Sequence, residues 1–314
     1  MALRYVDAAE VARALPFAPL IERLRQAFIQ GADVPLRHHH AIPGVAGHAG
    51  GTLLLMPAWQ KGGPLGIKAV SVFPDNQARG LPSVMGLYLL LDGTTGEPSA
   101  VLDGVALTLR RTAAASALAA GYLARPDARE MLMVGAGALA PHMIAAHATM
   151  RSLIHVKIWN RTPGRAKALA GSLSIPGIKI EAVDDLRRAA QSADIISCAT
   201  MSPVPLIKGE WLRPGQHLDL VGAYRADMRE TDDEAVQKAQ LFVDTRQGGL
   251  KEAGDIVDPL RRGIITEASV KAELSELCQG KKPGRQQASD ITLFKSVGTA
   301  LEDLAAATLV MERS

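Results

Sequence analysis

The chain has 314 residues, 47% of them hydrophobic and 21% charged, which is ordinary globular composition over a length suited to two domains. Its 35 basic and 32 acidic residues leave a formal charge of +3, spread without basic blocks or interleaved aromatics, so a nucleic-acid-binding surface is not expected. The two cysteines, Cys198 and Cys278, have neither metal-ligand spacing nor a disulfide pattern, the start MALRYVDAAEVARAL lacks an export signal, and no apolar run is long enough to span a membrane; a cytoplasmic location is the expectation.

Residues 8–31 carry apolar side chains at helical spacing (Val11, Leu15, Leu20, Ile21, Leu24, Phe28), and an extended stretch follows from Val34 to Gly47. Three apolar runs, Leu53 to Met56, Gly66 to Phe73 and Met85 to Leu91, are separated by turn residues and predict an antiparallel or mixed sheet. A helix starting near Asp103 runs through an alanine-rich stretch to Leu123 and stops at Arg125-Pro126. From Arg129 the texture changes to strand alternating with helix: MLMVGAG, HVKIWNRT, IKIEAV, DIISCAT, HLDLVGA and LFVDT are the strands. The reading is an α/β chain with a Rossmann-type doubly wound parallel sheet and a separate α+β domain. The tail from Asp290 to Arg313 reads as one helix on Leu293, Val297, Leu301 and Leu304. Residues 1–114 with 290–314 are assigned to the first domain and 115–289 to the second.

Gly135-Ala136-Gly137-Ala138-Leu139-Ala140 has the GxGxxA spacing between an apolar strand and a helix. In that context Gly135 permits the tight turn, Gly137 lets a pyrophosphate approach the backbone, and the first N–H groups of the helix, about Ala138 and Leu139, face the phosphates. The next strand ends in Asn160-Arg161-Thr162 where an NAD site usually has an acidic residue. An arginine with two polar neighbours suits a 2′-phosphate, so NADPH is the expected cofactor, with NADH weaker.

Three cations stand where a solvated placement is awkward. Lys68 lies within the apolar run GIKAVSVF, Arg111 among the small residues of LTLRRTAAASALAAG, and Arg37 after Pro35-Leu36. A lysine in a buried strand and an arginine in a close-packed helix each require an anion. His38-His39-His40 alternates in direction along an extended segment and has no acidic or cysteine companions, so no metal is expected. Cys198 is read as a buried strand residue without an activating base.

With these residues the sequence resembles the ornithine cyclodeaminase/mu-crystallin family over nearly its whole length. The resembling stretches are LMPAW (55–59), GIKAVSVFPDN (66–76), LTLRRTAAASALAA (107–120), VGAGALA (134–140), IWNRT (158–162), KEAGD (251–255) and ITLFKSVGTALEDLAAA (291–307). The resemblance implies a homodimer, a substrate α-carboxylate surrounded by Arg37, Lys68 and Arg111, and residues 294–298 near the nicotinamide. Lys68 is the expected catalytic residue, its pKa lowered by the crowding of two permanent cations. It either donates to the carboxylate or relays a proton to the imine nitrogen, a step for which a water or the hydroxyls of Thr112 and Ser296 are the alternatives. Thr112, Thr200, Val221 and Ser296 complete the expected cofactor contacts. Two positions depart from a cyclodeaminase: Ala223 and Leu54 stand where that activity has carboxylates, although Asp227 is close enough in sequence to substitute. The function implied is NADPH-dependent reduction of a cyclic ketimine acid, Δ1-pyrroline-2-carboxylate to L-proline and Δ1-piperideine-2-carboxylate to L-pipecolate. Ornithine cyclodeaminase, alanine dehydrogenase and an NADPH-dependent small-ligand binder are the alternatives. No nucleic-acid or membrane partner is expected.

Overall fold

The computed structural model describes residues 3–45 and 50–314; Gly47, the expected end of the extended stretch, lies outside them. The chain divides into two compact units, Met1–Thr112 with Thr299–Ser314 and Ala113–Gly298.

The first unit is built on a six-stranded mixed sheet. Its strands are β1 (Arg4–Val6), β2 (His38–Ile42), β3 (Gly51–Trp59), β4 (Leu65–Val72), β5 (Val84–Leu91) and β6 (Pro98–Asp103), in the order β1-β6-β5-β4-β3-β2. β1 joins β6 in parallel, and the other pairs are antiparallel. The expected helical stretch over 8–31 is two helices, Ala8–Ala14 and Phe17–Gln30, because Pro16 is extended (φ −59°, ψ 146°) and the residue before a proline is driven out of the helical region.

Alternation decides which sheet face is covered. Met56 faces Lys68, which faces Tyr88, which faces Leu102, and all four are buried. The next row on that face, Ala58, Gly66, Leu90 and Ala100, is buried too. The carboxy-terminal helix Ala300–Arg313 packs on β3, β4 and β5 and against the helix Phe17–Gln30. Side chains one residue out of phase, such as Leu55, Ala69 and Leu87, form an apolar opposite face that stays half-buried or exposed.

The second unit holds an eight-stranded, wholly parallel sheet. β7 (Glu130–Val134), β8 (His155–Trp159), β9 (Lys179–Ala182), β10 (Ile195–Cys198), β11 (His217–Leu220), β12 (Gln240–Val243), β13 (Val270–Glu273) and β14 (Thr292–Lys295) lie in the order β13-β12-β14-β11-β10-β7-β8-β9. From β7 the chain winds outward through β8 and β9, then returns to β10 on the other side of β7. That reversal creates a topological switch point at the carboxyl ends of β7 and β10, the usual ligand crevice of an open α/β sheet.

The single helix expected over 290–313 is corrected. Residues 292–295 form β14, paired with β11 and β12 inside the second unit, and the helix begins only at Ala300. Leu293 and Val297 have helical spacing, but all four residues of β14 are buried, and a short strand covered on both faces has no alternation to set it apart.

Candidate active site

Lys68 projects from the covered face of β4 toward the first turn of the helix Ala300–Arg313. Thr299 caps that helix by accepting from the N–H of Leu301, and Glu302 and Asp303 follow, where the helix dipole favours carboxylates. Lys68 Nζ lies 2.7 Å from Asp303 Oδ2. Arg111, in the helix Gly104–Leu123, donates from Nε to Asp303 Oδ1 at 2.9 Å and from one terminal nitrogen to Glu302 Oε2 at 2.7 Å. All four side chains are buried. Arg37, half-buried just before β2, is close enough for its charge to act on Lys68.

The structure therefore gathers the three expected cations, and the anions it sets among them are the protein's own. Glu302 and Asp303 are not among the residues expected from the sequence. Their signal is nonetheless present: two acidic residues between Leu301 and Leu304, on a face that is otherwise apolar. Lys68 and Arg111 balance these two carboxylates, and the charge of Arg37 reaches Lys68 from outside the pairs.

Burial lowers the pKa of Lys68 to about 8, with Arg111 and Arg37 acting in the same direction and Asp303 opposing them. The lowering agrees with the expectation, but desolvation outweighs the crowding by arginines. Beside Lys68, the Tyr88 hydroxyl is buried without a hydrogen-bond partner among the described residues. Gly66 makes room for it, since a Cβ there would stand 2.1 Å from the tyrosine oxygen. Leu54 shares the face of Lys68 in the adjacent row, opposite Val70, so this flank of the site is apolar. Thr112, directly after Arg111, is buried.

In the second unit the two motif glycines are needed for different reasons. Gly135 has φ +115°, and a Cβ on it would lie 2.7 Å from the carbonyl oxygen of Ala199, so the fold itself requires glycine. Gly137 has no positive φ, and a Cβ on it would meet nothing within 4 Å. The fold does not demand glycine there, but a ligand approaching the backbone would. Ala138 is exposed and Leu139 half-buried at the entry to the helix Ala140–Met150. This turn, at the carboxyl end of β7, fits a dinucleotide pyrophosphate.

At the end of β8, Asn160 donates from its amide to the carbonyl of Thr162 at 3.0 Å. Arg161 and Thr162 are exposed, and no acidic side chain pairs with Arg161 among the described residues. The backbone N–H and hydroxyl of Thr200 both donate to Glu230, and the N–H of half-buried Val221 donates to the carbonyl of Cys198. Ser296 is fully buried with its hydroxyl on Asp244, which also accepts from the N–H groups of Val297 and Gly298. Its hydroxyl is thus used in holding the loop after β14, and a direct proton relay from it is not supported.

Asp227 is exposed and paired with Arg225 at 2.9 Å, so it does not take up the place of a carboxylate at buried Ala223. His38, His39 and His40 lie exposed along β2. Cys198 is buried in β10, where burial and nearby carboxylates push its thiol pKa up, and it does not suit a nucleophile.

Residues 6–314 match the ornithine cyclodeaminase/mu-crystallin family. The chain is 40% identical over 282 residues to the Delta(1)-pyrroline-2-carboxylate reductase of Paracoccus denitrificans, covering 88% of this chain and 89% of that one. Among solved structures it is similar to the Thermococcus litoralis Delta(1)-pyrroline-2-carboxylate reductase in complex with NADH and L-proline (TM-score 0.92, 37% identity, 99% and 97% of the two chains). It is also similar to an archaeal alanine dehydrogenase dimer with bound NAD (TM-score 0.92, 29% identity, 100% and 96%). With nearly all of its length matched and its two-unit architecture shared, the chain belongs to the ornithine cyclodeaminase/mu-crystallin family.

Proposed function

We propose that the protein is an NADPH-dependent ketimine reductase converting Δ1-pyrroline-2-carboxylate to L-proline and Δ1-piperideine-2-carboxylate to L-pipecolate. The observation that carries this reading is the buried cluster of Lys68 and Arg111 with Asp303 and Glu302, with the charge of Arg37 acting on Lys68 from beside it. Arg111 and Arg37 hold the substrate carboxylate, the bidentate-capable guanidinium being the stronger and more directional partner. Bound NADPH supplies the hydride that becomes the new C–H bond at the imine carbon. As that bond forms, the Lys68 ammonium gives its proton to the ring nitrogen, the C=N π pair becomes the N–H bond, and the neutral amine of Lys68 regains a proton from solvent. A lysine with a pKa near 8 is a competent donor at neutral pH. Gly135, Gly137, Ala138 and Leu139 receive the pyrophosphate, Asn160, Arg161 and Thr162 the 2′-phosphate, and Thr112, Thr200, Val221 and Ser296 border the rest of the cofactor, Ser296 through its loop.

The apolar flank at Leu54, the alanine at 223 and the surface pairing of Asp227 all disfavour a diamino acid. The test is ammonia release from ornithine with NAD: none is expected, and stoichiometric release would replace this reading with cyclodeaminase activity. The open apolar face of the first sheet, with Met85 and Leu87 exposed at 40% and 50%, supports a homodimer closed over that face. A monomeric mass in sedimentation would rule it out. A cytoplasmic location, expected from the sparse cysteines, is part of the same proposal.

A further inference from the structure

Glu230 is fully buried in the second unit, outside every motif that carries the site. Its Oε1 accepts from the backbone N–H of Thr200 at 2.7 Å and from the Thr200 hydroxyl at 2.9 Å. Its Oε2 accepts from the N–H of Gly222 at 2.8 Å and of Ala223 at 3.3 Å. One carboxylate thus joins the turns that follow β10 and β11. The fit is close: a Cβ on Gly222 would lie 1.9 Å from the Thr200 carbonyl oxygen and 2.6 Å from Glu230 Oε1.

Asp255 holds Glu230 from behind. Its Oδ1 accepts from the N–H groups of Glu230 and Thr231 at 2.7 and 3.1 Å. Lys295, at the end of β14, lies 3.1 Å from Asp255 Oδ2 and 3.8 Å from Glu230 Oε2, and is itself fully buried. Burial raises the Glu230 pKa above the usual carboxylate value, with Asp255 adding to the rise and Lys295 and the Thr200 donors opposing it. Each of the hydrogen-bond partners of Glu230's oxygens is a donor, the surroundings of an ionised carboxylate. Two carboxylates against one ammonium leave a net negative charge beneath the carboxyl ends of β10, β11 and β14.

The pyrophosphate turn after β7 and the Asn160–Thr162 corner after β8 assign the adenosine half of a dinucleotide to one side of the switch point. The nicotinamide half then falls on the side of β10 and β11. We infer that Glu230 is a positioning residue for that half, bridging its two turns and, with Asp255 and Lys295, setting a buried negative charge that favours the oxidised, cationic ring over the reduced, neutral one. The inference rests on the dinucleotide reading above. It extends that reading to a device that assists hydride donation, because the ring gains positive charge as the hydride leaves.

The test is the pair of dissociation constants for NADP+ and NADPH, from quenching of protein fluorescence, in the unmodified protein and in two variants. Glu230→Gln removes the charge and turns one accepting oxygen into an amide donor, so it should weaken both forms and, beyond that, raise the ratio of the NADP+ constant to the NADPH constant by about tenfold. Glu230→Asp keeps the charge and shortens the reach, and it should weaken both forms together and leave the ratio alone. If Glu230→Gln does not fold, Asp255→Asn removes the cluster's other negative charge and must move the ratio the same way. Unmodified protein that binds neither form would overturn the dinucleotide reading itself. Normal binding with a ratio unmoved by charge removal would overturn only the role of Glu230.

Discussion

The Lys68 ammonium and the Asp303 carboxylate form a 2.7 Å ion pair, brought together from a central strand and the first turn of the last helix, with both side chains buried. Asp303 also accepts from Arg111, so the two residues are not equivalent partners. Removing Lys68 leaves Asp303 compensated. Among the described residues, removing Asp303 leaves Lys68 without an ion-pair partner and Arg111 with Glu302 alone.

This asymmetry gives opposite expectations for two variants. Lys68→Met should lower turnover by at least two to three orders of magnitude, roughly the contribution of a positioned general acid, while leaving the dissociation constant for NADPH unchanged. Asp303→Ala should destabilise the first unit by about 3–5 kcal/mol, the range for breaking a buried ion pair from one side. Steady-state kinetics with fluorescence titration checks the first, and urea unfolding the second. Retained turnover in Lys68→Met would remove Lys68 from the mechanism.

The pH dependence follows from the same pair. The charged form of Lys68 is present below its pKa of about 8 and is the form that donates a proton, so kcat/KM for reduction should decline as pH rises through about 8. Asp303 raises that pKa against the lowering by burial, Arg111 and Arg37. Asp303→Asn, if folded, should therefore move the descending limb to lower pH. A limb that stays in place would show that another group donates the proton.

The two motif glycines separate folding from binding. Gly135→Ala forces a Cβ into a positive-φ position and against the Ala199 carbonyl, and should destabilise the second unit by about 1–3 kcal/mol. Gly137→Val meets nothing within 4 Å at its Cβ and should leave the thermal midpoint within a few degrees while weakening NADPH by at least tenfold, about 1.4 kcal/mol. Thermal unfolding and titration of both variants check the pair. Equal loss of stability in the two would contradict the assignment of the Gly137 side of the turn to a ligand.

Arg161→Ala addresses the cofactor's flavour. Arg161 is exposed and free of carboxylate partners among the described residues, so its removal should cost little stability. It should weaken NADPH by roughly tenfold to a hundredfold, in the range of about 1.5–3 kcal/mol for hydrogen bonds to charged groups, and NADH by less than twofold. Equal weakening of both would show that the 2′-phosphate is held elsewhere.

Much of this is legible in the sequence because local signals are undiluted. The alternation from β7 to β12 and the glycine turn after β7 combine strand, turn and helix signatures in one short span, and Lys68 is conspicuous as a charge inside an apolar run. The strand at 292–295 is hidden because a four-residue run buried on both faces has no period to read, and Pro16 divides what spacing alone joins into one helix. Asp303 and Glu302 escape notice as partners of Lys68 and Arg111 because that pairing is long-range: nothing near residue 68 indicates that its anion comes from the last helix. Glu230 shares this difficulty, since its role lies in the backbone N–H groups it collects, and these leave no mark on the identity of the residues that carry them.

The decisive measurement is NADPH oxidation by the purified protein with Δ1-pyrroline-2-carboxylate and Δ1-piperideine-2-carboxylate, beside pyruvate with ammonia. Rapid oxidation with the cyclic imines and little with pyruvate and ammonia is the predicted result, with L-proline and L-pipecolate as the products. Oxidation only with pyruvate and ammonia, or with none of the three, would contradict the ketimine reductase assignment.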